Sequence, residues 1–197
     1  MHSNTESIKG TKHSIYENVR FLATVLAIVI LVRLFIAQPF LVNGTSMVPN
    51  FHNNDYLIVD ELSYKFTEPK RLDVVVVRKP DESRKFLLKR IIALPGETIV
   101  FKSNTVTIKN TENPAGIVLD ESYISLPVFE TEHSVTLTDE QYWVMGDNRP
   151  YSQDSRSWGT LPSKNITGRV FLRLWPLSDI AVFPGKVKTA EQTPETP

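Results

Sequence analysis

At 197 residues, with 41% hydrophobic and 22% charged residues, the chain fits a folded domain plus an anchor or tail, not a disordered or collagen-like protein. Its 22 Lys and Arg balance 22 Asp and Glu, and no stripe of basic and aromatic residues breaks that balance, so nucleic acid is not expected as a partner. Cysteine is absent and the four histidines lack i, i+4 spacing, which argues against disulfides, cysteine nucleophiles and metal sites and leaves no cofactor implied.

Residues 1–20 are polar. The stretch "FLATVLAIVILVRLFIA" (21–37) that follows is interrupted only by Thr24 and Arg33. As a helix it spans about 25 Å, short for a hydrocarbon core of about 30 Å, and extension to Val42 brings it to about 33 Å. Pro39 opposes a continuous helix there. Arg33 would have to reach an interface, because a charge at mid-bilayer costs several kcal/mol. A cleavable signal peptide needs small residues before its cut, yet Phe35 stands two before Ala37. The reading is an uncleaved single-pass anchor over 21–42. Lys9, Lys12 and Arg20 precede it and no Lys or Arg occurs from Gln38 to Tyr64, which places the N-terminus in the cytoplasm and residues from 43 onward outside.

Beyond the anchor the pattern changes to short runs rich in Val, Ile and aromatics, bounded by Gly, Pro or Asn-Asp clusters. These are residues 55–60, 73–79, 85–94, 98–102, 105–109, 142–146 and 168–176. They predict a mainly β fold, an antiparallel sheet or barrel-like domain over 43–184, with a hairpin turning at Ser103-Asn104. The polar, Pro-rich residues 185–197 read as a flexible tail.

Two stretches carry candidate chemistry. In "FLLKRIIALPGE" (86–97), strand alternation gives Lys89 apolar neighbours at Leu87 and Ile91. A lysine at a strand edge that snorkels outward satisfies this pattern. So does a buried neutral lysine, whose pKa can fall by about 3–5 units and make it a general base. Ser46, in "NGTSMVPNF" (43–51), would then be a nucleophile with its base. "MGDNRPYSQDSRSWG" (145–159) is dense in hydrogen-bonding groups. It fails as a calcium loop, because the twelfth position from Asp147 is Trp158. It reads as a braced loop in which Asp154 and Arg156 pair and Ser152 orients the lysine amine.

Together "GTSMVPNF", "LDVVVVRKP", "KRIIALPGE" and "GDNRPYSQDSRSWG" resemble, in order, the boxes of type I signal peptidases of the Gram-positive kind, from the anchor to about Pro176. The resemblance implies a membrane-anchored Ser–Lys protease that cleaves secretory preproteins after small residues, with membrane lipid as its other partner. Ser46 is the implied nucleophile, Lys89 the implied base, Ser152 the serine that positions it, and Asp154 with Arg156 a structural pair. Asp147, Gly44 and Met47 are supporting candidates. The family's oxyanion hole uses the nucleophile's own N–H, and some members add a serine hydroxyl where this chain has Gly44. Met47 either packs inward or touches the membrane. A self-cleaving repressor-type protease would need a DNA-binding region before residue 40, which is absent. An inactive assembly factor would be expected to lose Ser46 or Lys89, and both are present.

Overall fold

The computed structural model describes residues 16–27, 29, 37–127 and 131–187. Residues 16–27 are helical, with Phe21, Leu22 and Leu26 exposed. Among the described residues no helix is long and apolar enough to cross a membrane, and residues 28 and 30–36 of the expected anchor lie outside them. The far end of that expected anchor is corrected: Ala37–Leu41 is a strand, β1, paired antiparallel with β2 (Tyr56–Asp60). Pro39 has no N–H for a helix, and edge strands accept proline.

Ten further strands follow: β3 (Val74–Lys79), β4 (Glu82–Ala93), β5 (Thr98–Lys102), β6 (Thr105–Lys109), β7 (Ile117–Val118), β8 (His133–Thr136), β9 (Gln141–Met145), β10 (Leu161–Pro162), β11 (Ile166–Trp175) and β12 (Ala181–Val182). The larger sheet runs β1-β2-β11-β3-β4-β9-β10, with β12 on β11; the smaller runs β7-β6-β5-β8. All pairings are antiparallel. Among the described residues the larger sheet is an open path and not the closed barrel that the sequence also allowed.

The unbroken run Val74–Val77 has a direct cause. Val74 and Val76 pack with Met47, Phe51, Leu57 and Leu88, whereas Val75 and Val77 pack with Ile91, Tyr142 and Val144, so β3 is buried on both faces. A third cluster, including Ile92, Ile99, Phe101 and Trp143, joins the smaller sheet to β4 and β9. The β5–β6 hairpin turns at Ser103 (φ 49°) and Asn104 (φ 62°), two left-handed residues that match the twist of the strands. Gly185, the first residue of the expected tail, is instead held by Arg90, whose Nη1 donates to its carbonyl at 2.7 Å.

Gly168 lies where the β11–β3 register shifts. A Cβ there would come within 2.5 Å of the Asp60 carbonyl oxygen and 2.9 Å of Val59 Cγ1. Alanine normally stabilises a strand relative to glycine by about 0.5–1 kcal/mol. Gly168→Ala is expected to do the reverse and lose about 1–3 kcal/mol in urea unfolding, because β11 must move off β2; a neutral or stabilising change would contradict the close approach.

Candidate active site

Ser46 sits on a compact turn pinned at both ends. Val42 N–H donates to the Asp55 carbonyl (2.9 Å) and Asn54 N–H to the Val42 carbonyl (2.9 Å), while Val48 N–H reaches Thr45 O (3.2 Å) and Phe51 N–H reaches Met47 O (2.9 Å). Met47 and Phe51 are both buried in the core, which roots the turn and settles Met47 as packing. Gly44 takes φ +112°, a backbone that side chains rarely adopt, and its N–H already donates to Asn53 Oδ1 at 2.9 Å. Among the described residues the Ser46 N–H has no hydrogen-bond acceptor.

Lys89 arrives from β4, the strand between β3 and β9. It is 1% exposed, and its Nζ lies 2.9 Å from Ser46 Oγ and donates to the Leu88 carbonyl at 3.0 Å. Burial lowers its pKa from the usual 10.5 to about 8. The Asp154 and Asp147 carboxylates oppose that fall, and Arg156 and Lys85 add to it. Both carboxylates are already engaged by guanidinium groups, which leaves burial the larger effect. At neutral pH a usable fraction of the amine is therefore unprotonated and within hydrogen-bond reach of a serine hydroxyl.

The loop 146–158 closes the site. Asn148 ties it to the serine turn, its N–H donating to Ser46 O and its Nδ2 to Thr45 O, each at 3.0 Å. Asp154 is fully buried and caps the helical turn Ser155–Trp158. It accepts two bonds from the Arg156 guanidinium (2.8 and 2.7 Å) and one from Gly146 N–H (2.9 Å). Asp147 is likewise gripped by Arg90 through Nε (2.8 Å) and Nη2 (2.6 Å), and by Asn50 Nδ2 at 2.8 Å. Gly146 lies between two parts of the site, since a Cβ there would collide with Ser152 and come within 2.5 Å of the Ser46 carbonyl oxygen.

The structure thus brings Ser46, Lys89, Asp147, Asp154 and Arg156 together. Ser152 is adjacent but differs from its expected contact: its hydroxyl is buried, yet hydrogen-bonds neither Lys89 nor any other described residue. Sequence reasoning missed Arg90, Asn50 and Asn148. A second charge next to Lys89, just before "IIAL", and an amide four residues past Ser46 were the available signals. No group of three or more His, Asp or Glu among the described residues is placed to hold a metal ion.

Comparison with known proteins matches residues 15–175 to the family model described as signal peptidase, peptidase S26. The probable signal peptidase I-1 of Synechocystis is 35% identical over 171 residues, covering 83% of this chain and 84% of its own. The probable signal peptidase I-2 of that organism is 34% identical, covering 82% and 73%. Signal peptidase I of Bacillus licheniformis is 33% identical over 186 residues, covering 89% of this chain and 96% of its own.

A lysine titrating near 8 when folded and near 10.5 when unfolded has a definite linkage. Below pH 8 both states carry the proton, and the folded state bears the cost of a buried charge. Between 8 and 10.5 only the unfolded state holds it, so stability rises with pH. Replacement by an apolar side chain of similar length removes that cost of a few kcal/mol. Lys89→Met is therefore expected to raise the melting temperature by several degrees at pH 6, with the gain shrinking as pH climbs past 8. A variant that melts lower than wild type at pH 6 would contradict this account.

Proposed function

Because the chain belongs to the signal peptidase family, peptidase S26, we propose that it is a serine endopeptidase that removes signal peptides from exported preproteins with Ser46 as nucleophile and Lys89 as general base. The observation that carries the roles is the 2.9 Å approach of a buried lysine amine to a serine hydroxyl. Neutral Lys89 takes the Ser46 proton as Oγ attacks the scissile carbonyl, and the resulting ammonium protonates the leaving amine as the peptide bond breaks. Lys89, neutral again, then takes a proton from the water that attacks the acyl-enzyme and returns it to Ser46 Oγ as the ester bond breaks. The free Ser46 N–H is suited to the developing oxyanion. Asp154 with Arg156 braces the loop.

An extended substrate has a place to lie. β4 pairs with β3 along much of its length but with β9 only from Arg90, so its other edge at Leu87–Lys89 faces no strand among the described residues. A peptide added there would present its carbonyl beside Ser46.

We place the enzyme at the cell membrane, held by the apolar segment that leads into β1, with residues from 43 onward outside. Exposed Leu41, Tyr56 and Trp175 neighbour one another across β1, β2 and β11 at the end of β1 away from where that segment enters, and suit contact with lipid headgroups.

In detergent, Ser46→Ala and Lys89→Ala are each expected to abolish preprotein cleavage, read by mass spectrometry of the products, while circular dichroism stays that of wild type. Cleavage near the wild-type rate by Lys89→Ala would rule out the dyad. The wild-type rate should climb about tenfold per pH unit in acid, as the neutral amine becomes available, and level off above about 8. A profile flat from pH 5 to 9 would exclude a lysine base.

A further inference from the structure

Residues 119–124 leave the smaller sheet after β7 and carry two side chains that the catalytic roles do not use, the half-buried Glu121 and the buried Tyr123. The Tyr123 ring lies under two guanidinium groups, with Arg90 Cζ 4.4 Å and Arg149 Cζ 5.9 Å from its centroid. Its hydroxyl accepts from Arg149 Nη2 at 3.1 Å, and its carbonyl accepts from Asn50 Nδ2 at 2.8 Å. Glu121 pairs with Arg149 Nη1 at 2.5 Å. Arg149 in turn donates through Nε to the Gly146 carbonyl at 3.0 Å, and its own carbonyl accepts from Arg156 Nη2 at 2.7 Å.

Each residue that meets Tyr123 belongs to a different part of the site. Asn50 is on the Ser46 turn, Arg90 is next to Lys89 on β4, and Arg149 is in the loop that carries Asp147 and Asp154. We infer that Glu121 and Tyr123 are positioning residues that clamp the serine turn, the lysine strand and the closing loop into one geometry from the smaller sheet. The inference rests on the dyad reading above. The charges explain the need: two buried guanidiniums meet two carboxylates, Asp147 and Glu121. Among the described residues Glu121 is the one carboxylate ion-paired with Arg149, so without it Arg149 is a buried cation lacking that partner and draws water into the loop that walls off Lys89. Without the Tyr123 ring, Arg90 and Arg149 lose the surface that separates them.

The test compares wild type with Tyr123→Leu, Glu121→Ala, the milder Glu121→Gln and the ring-preserving Tyr123→Phe. Three quantities are measured: melting temperature, kcat and KM for a preprotein, and the pH midpoint of Lys89 acetylation by trace acetic anhydride, read by peptide mass spectrometry. The last needs no cleavage. Asp154, Asp147, Arg156 and Lys85, the charges that act on Lys89, are retained in every variant. Tyr123→Leu and Glu121→Ala are expected to lose about 10- to 100-fold in kcat with little change in KM. Their Lys89 midpoint should move up from about 8 towards 10.5 as the amine is wetted. Glu121→Gln should move it part of the way if the harsher variants do not fold, and Tyr123→Phe should stay near wild type. Lower melting temperatures with wild-type kcat and an unmoved midpoint would overturn the clamp and leave a brace on the fold alone. A wild-type chain that titrates at Lys89 but cleaves no preprotein would instead sink the dyad reading, and the acetylation midpoints would still decide the clamp.

Discussion

The site depends on keeping one primary amine dry within reach of one hydroxyl. Lys89 would be protonated at neutral pH in water, and only its burial on β4 brings the pKa down to about 8. Two carboxylates close enough to reverse that effect are present, yet each is held by its own guanidinium, Asp154 by Arg156 and Asp147 by Arg90. Those pairs do more than brace loops. They occupy the carboxylate oxygens with fixed donors, so the lysine finds no free anion to pair with and burial decides its charge state. The fold sustains this because β3, which pairs with β4 through Lys89, is buried on both faces.

The strand pattern was readable because it is local. β5 and β6 fall on the residues that alternation marks, β2, β3 and β9 within one residue, and the β5–β6 turn at the two residues whose left-handed backbone it requires. Lys89 was readable for the same reason, as a cation framed by Leu87 and Ile91. The failures have physical causes as well. β1 hides inside an apolar run whose hydropathy continues from the segment before it, and its strand character comes from pairing with β2, which no window of sequence contains. β7, β10 and β12 are two-residue strands, too short for any periodicity.

The side chains around the dyad divide in the same way. Asp154 and Arg156 are two residues apart, so their pairing could be inferred from spacing. Arg90–Asp147, Asn50–Asp147 and Tyr123–Arg149 join residues separated by 26 to 97 positions, and only the folded chain brings them together. Ser152 shows the opposite limit. The sequence expected it to orient the Lys89 amine, yet its hydroxyl lies beside Gly146 with no partner among the described residues, and a hydroxyl's bonding depends on a rotor that sequence does not fix.

Gly44 shows how the backbone constrains the chemistry. A hydroxyl two residues before Ser46, the proposed nucleophile, would offer a second donor to an oxyanion, and this chain has none there. The reason lies in the turn: φ at +112° is costly for any residue with a Cβ, although there is open space for a side chain at that point. Serine would therefore be opposed by the backbone and not by crowding. The Gly44 N–H is committed to Asn53 as well, so neither the side chain nor the backbone of this residue is available to an oxyanion. That leaves the Ser46 N–H as the donor the turn itself holds ready. Its alignment depends on the contacts that fix the turn, Met47 and Phe51 in the core beneath it and Asn148 across the Thr45 and Ser46 carbonyls. A site with one backbone donor would rely on rigidity where a two-donor site has redundancy, and the turn that carries Ser46, the proposed nucleophile, is anchored on both sides.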